Sequence, residues 1–104
     1  MRARVLLSFG FLIVLGAAAR ADQLTDDVHR ILSERCGQCH DRESAKADPK
    51  ALKVFDLAEK SWWSRMSDRQ LPKLNSRMQS FGASEDERTR VAAFVTAELT
   101  RRAR

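Results

Sequence analysis

The chain holds only two cysteines in 104 residues, Cys36 and Cys39, so no other thiol competes with them for a chemical role. It has no run of alternating β-branched residues, and so no strand pattern. No Gly/Ser linker, internal repeat or low-complexity tract divides it, which leaves one small domain. No carboxylate pair is indicated and no activated serine or spare thiol is present, so nothing marks a substrate-transforming site. Aromatic interleaving and a basic helical stripe, the marks of a nucleic-acid surface, are also missing.

The N-terminal residues read as a secretory signal. Arg2 and Arg4 give a positive start, residues 5–19 are nearly all apolar, and Ala19-Arg20-Ala21 offers a small-residue cleavage site. Ala17-Ala18-Ala19 offers a second site two residues earlier. The apolar run falls short of the roughly 20 residues that cross a bilayer. The expectation is a signal peptide over residues 1–21 and a mature domain over 22–104, with an uncleaved anchor as the alternative. No transmembrane span is expected after cleavage.

Export changes the charge. The full chain is +5, but Arg2, Arg4 and Arg20 leave with the leader. Sixteen basic residues then face 14 acidic ones, because no acid precedes Asp22. The mature domain is close to neutral, so its basic pI carries no nucleic-acid reading. Arg101, Arg102 and Arg104 are expected to be a solvated helix end.

Against that background stands Cys36-Gly37-Gln38-Cys39-His40, the attachment pattern of a c-type haem. Two thiols three positions apart suit the two vinyl groups on one porphyrin edge. The histidine directly after them lies where its imidazole can bind the iron. A redox dithiol, a local disulfide and half of a zinc site are the competing readings. The first wants a strand-to-helix turn in a βαβ pattern. The last wants four ligands, and beyond these three residues only His29 or a carboxylate remains. In an oxidising compartment two such thiols tend to pair, so a haem protein needs assembly machinery there. That points to a periplasm.

The remaining pattern is helical. Leu24, Val28, Ile31 and Leu32 recur at helical spacing and lead directly into Cys36, with Asp22 or Thr25 as candidate caps. Ser84 with Glu87 forms a capping box ahead of the stripe Val91, Phe94, Val95 and Leu99. That terminal helix should run about 20 residues. Residues 51–56 and 61–69 are expected as short helices, and Pro72 as a helix start or break. A mature chain this small has a marginal core, so a buried haem would form much of its interior.

A haem motif after an N-terminal helix, then short helices and a C-terminal helix, resembles the small bacterial monohaem class I cytochromes c. The likeness spans the mature chain in layout, while CGQCH is its one specific motif. It implies an all-α fold with N- and C-terminal helices packed around one haem c, covalently bound through Cys36 and Cys39. It places Phe94 against Val28 and Leu32, and gives His40 as an iron ligand whose second ring nitrogen donates to a loop proline carbonyl. Pro49 is in position for that role, although Asp48-Pro49 replaces the usual Gly-Pro.

The resemblance also implies an opposing methionine from a loop before the last helix, and Met78 has that order. Leu71, Leu74 and Met78 fall at helical spacing, however, which is equally the pattern of a core. Met66 and an open position are the alternatives. His29 reads as a surface histidine. The indoles of Trp62 and Trp63 and the cation of Arg65 are candidates to meet haem propionates, beside a plain packing role. Trp62 and Trp63 cannot share a helix face, so one should point inward.

The implied function is single-electron transfer by an exported, non-enzymatic carrier with His40/Met78 ligation, docking transiently with redox proteins or membrane complexes. A haem sensor or peroxidase-like protein with an open sixth position, and a dedicated haem subunit of a larger oxidoreductase, are the alternatives.

Overall fold

The apolar spacing that begins at Leu24 continues to Cys36, and the computed structural model turns it into one long helix. The structure describes the backbone of residues 2–104 and the side chains from residue 20 onward. Helix α1 runs Arg2–His40, α2 Pro49–Val54, α3 Lys73–Ser80 and α4 Glu85–Arg102. Among the described residues these four helices are joined by turns, and there is no strand. Among the described residues no helix is long and apolar enough to cross a membrane. Most side chains of the expected leader lie outside the described residues.

The two long helices pack on each other. α1 contributes Val28, Ile31 and Leu32 to the core, and α4 contributes Val91, Phe94 and Val95. Each set is the i, i+3, i+4 stripe that one helix face presents. Two ion pairs cross the same seam, Arg90 to Asp27 at 2.6 Å and Arg35 to Glu87 at 2.9 Å. The start of α4 is as the sequence predicts. Ser84 accepts from the Glu87 N–H, and the Glu87 carboxylate accepts from the Ser84 N–H. Asp22 and Thr25, by contrast, cap nothing, because α1 runs unbroken through them and Thr25 donates to the Ala21 carbonyl.

Pro72 opens α3, as a residue with fixed φ can. The helix closes on Gly82 at φ +74°. There the Ala83 N–H returns to the Met78 carbonyl and the Gly82 N–H to Gln79, which satisfies two of the last acceptors. α3 buries Leu74 and Met78 against α4.

Residues 61–69 depart from expectation: they form successive turns rather than a helix. Ser64 bonds back to Ser61 and Met66 to Trp63, three residues each time. The cause lies in α4. Arg102 donates to the carbonyls of Trp63 at 3.0 Å and Met66 at 2.7 Å, and pairs with Asp68. Its guanidinium supplies donors that helical N–H groups would otherwise give. Glu98, 6% exposed, holds Arg101 and Arg102 in turn. Arg101 and Arg104 are exposed, as expected of a solvated helix end, but Arg102 is a fastener between α4 and the middle of the chain.

Candidate functional site

Cys36, Cys39 and His40 occupy the last turn of α1. Residues three and four apart on a helix share a face, so the spacing sets both thiols and the imidazole side by side. Both cysteines are free thiols, Cys39 exposed and Cys36 half-buried against the core. Burial pushes the Cys36 thiol pKa up, and the neighbouring Cys39 adds to the effect.

His40 is oriented from outside the helix. Its Nδ1–H donates to the Phe55 carbonyl at 3.2 Å. Its ring lies flat on the Phe55 ring, with centroids 3.8 Å apart. Its own carbonyl, left over at the helix end, accepts the Leu57 N–H at 2.7 Å. The carbonyl that takes Nδ1 thus belongs to Phe55, where the resemblance had placed Pro49. Pro49 instead occupies the first position of α2, behind Asp48, whose carboxylate caps the Lys50 N–H.

The other candidates separate clearly. Trp62 is buried in the core while Trp63 is half-buried, and their rings meet edge to face at 5.5 Å. Phe94 reaches the same core as Val28 and Leu32 and stacks on Trp62 at 5.4 Å. Arg65 is occupied by Glu59 at 2.9 Å. Met78 is fully buried within α3, and Met66 is nearly as buried at 3%. Burial therefore does not rank the two methionines.

His29 is the residue that sequence reasoning undervalued. It is half-buried, and its Nε2–H donates to the Leu57 carbonyl at 2.8 Å. The clue was its spacing: seven residues before Cys36 is two helical turns, which puts both on one face.

A haem fits these donors on three counts. The thiols lie on one turn. With Nδ1 engaged, Nε2 is left for a metal. Phe55 covers a face of the imidazole rather than its Nε2 edge, so the stacking itself does not block that nitrogen. In addition, the indole N–H of Trp62 is buried without an acceptor, the condition a propionate would relieve. A zinc site fits less well, because among the described residues no three His, Cys, Asp or Glu side chains converge on one point. A cleft between α1, residues 61–64 and α4 is lined by Leu24, Trp63, Phe94 and Ala97 and includes neither the thiols nor His40.

No family model, curated protein or solved structure matches the chain.

Proposed function

We propose that this chain is an exported monohaem c-type cytochrome that carries single electrons between redox partners. The observation that carries the reading is the last turn of α1: two free thiols and an imidazole on one face, with Nδ1 held by a backbone carbonyl. A bound haem would supply a one-electron iron couple. Cys36 and Cys39 would fasten it and His40 would hold the iron through Nε2. Donation from Nδ1 to Phe55 makes the imidazole a stronger donor and fixes its tautomer. Trp62 would hold a propionate. The core faces of α1 and α4 would exclude water from the buried side. Redox proteins or membrane complexes in the periplasm would be the partners, met by transient docking.

Met78 is the proposed sixth ligand by chain order, and a thioether there favours the reduced state. One observation favours an alternative. Met78 extends the buried row of Leu71 and Leu74, a position that packing alone accounts for. The second reading is accordingly a haem protein with an open sixth position, suited to small gases or peroxide.

Expression with periplasmic haem-attachment machinery tests both. Intact mass should rise by one haem, and Cys36→Ala or Cys39→Ala should weaken or abolish attachment. An unchanged mass sinks the haem reading altogether. The ferric protein should show the weak far-red sulfur-to-iron band, lost in Met78→Ala and kept in Met66→Ala. A high-spin ferric spectrum with fast carbon monoxide binding selects the open-position reading instead.

A further inference from the structure

The three residues that follow α2 form a strap across the end of α1. Phe55 leaves α2 with extended backbone, φ −157° and ψ 154°. From there Phe55 and Leu57 touch His40 in three ways: carbonyl to Nδ1, ring on ring, and N–H to carbonyl. A short extended segment has no internal hydrogen bonds to keep its shape, so something else must hold it.

Two side chains do so. Asp56 is only 4% exposed, and its Oδ1 accepts two backbone N–H groups. One comes from Arg42, just past the haem motif, at 3.2 Å, and the other from Ala58 at 3.0 Å. The Arg42 guanidinium stands 3.7 Å from the second oxygen. His29 fixes the other end through the Leu57 carbonyl. Leu57 thus bonds through its N–H to one histidine of α1 and through its C=O to another. A buried carboxylate with two backbone donors is costly to remove, because its loss leaves those donors unpaired.

We propose that Asp56 and His29 are positioning residues for His40. Acting through the strap, they hold the ring as the Nδ1–H tautomer with Nε2 directed at a metal. This rests on His40 being the iron ligand. It extends that reading to two residues that touch neither haem nor iron, and it makes the strap the element through which the basicity of His40 is set.

The test uses the full-length chain with histidine nitrogens labelled and thiols reduced. Long-range proton–nitrogen correlations at about pH 8, where an unperturbed imidazole is neutral, report the tautomer. Wild-type His40 should be Nδ1–H. His29→Leu and Asp56→Ala should convert it to the Nε2–H form that free imidazoles favour. His29→Gln keeps a donor and Asp56→Asn keeps Oδ1, so both should retain Nδ1–H. Wild-type His40 found as Nε2–H overturns the proposal without any variant. So does an unchanged tautomer in His29→Leu with native helicity, which serves even where Asp56→Ala does not fold. In haem-loaded protein His29→Leu should raise the midpoint potential and His29→Gln should leave it near wild type. Haem attached but both readouts indifferent to His29 and Asp56 removes the strap and leaves the cytochrome reading. No haem mass removes the ligand role itself, and the positioning role with it, whatever the tautomer.

Discussion

The imidazole of His40 and the ring of Phe55 lie 3.8 Å apart and 4° from parallel. Phe55 serves His40 with its side chain and its backbone separately, and substitution can divide the two. Phe55→Leu keeps the carbonyl and loses the stacked face. It should cost about 1–2 kcal/mol, the size of an aromatic pair with some lost packing. Urea unfolding should show that loss while the His40 tautomer stays Nδ1–H.

The two thiols should differ in reactivity although they share a helical turn. Thiolate is the reactive form, and Cys36 is both less exposed and raised in pKa by burial and by Cys39. An alkylating reagent near neutral pH should therefore label Cys39 of the reduced, haem-free chain first. Timed mass spectra of Cys36→Ala and Cys39→Ala should show the surviving Cys39 reacting faster.

Gly82 ends α3 in the left-handed region. A Cβ there would meet no atom within 4 Å, so Gly82→Ala tests backbone strain alone. The expected cost is about 1 kcal/mol, read as a fall in melting temperature on the order of 5 °C. Because this turn returns to the Met78 carbonyl, a Met78-ligated protein should also lose part of its far-red band.

Glu98 makes the fold acid-sensitive. Hydrogen bonds from Arg101, then from Arg102, outweigh burial and hold its carboxyl below the ordinary glutamate range. A lowered folded-state pKa means that the unfolded chain binds the proton first. Glu98 therefore contributes stability at neutral pH that is lost as pH falls below about 4.3 and through the folded value. Glu98→Gln should cost about 2 kcal/mol at pH 7 and flatten the acid limb of a stability–pH curve.

Local signals in the sequence located the ends of the fold well. The α1 stripe into Cys36 and the Ser84–Glu87 capping box are statements about residues three and four apart, which is the range that helical periodicity reads. The misses at residues 61–69, His40 and His29 share one cause. Trp62 and Met66 are spaced like a helix, but the carbonyls of that stretch go to Arg102, some 36 to 39 residues away. Likewise the His40 partner lies 15 residues on and the His29 partner 28 residues on. No spacing rule reports such pairs. That Cys36, Cys39 and His40 share one stretch of helix was legible, because it needs only one turn. The setting of His40 was not, because another part of the chain supplies it.

The seam between α1 and α4 also sets an order of events. Val28, Ile31 and Leu32 are made before the Val91, Phe94 and Val95 that bury them. Until α4 has emerged, the α1 stripe lacks the wall that α4 gives it in the fold, and the core against which Cys36 packs is incomplete. On the proposed haem reading, the half-buried Cys36 thiol would be most available before the fold closes, so attachment would be easiest ahead of folding.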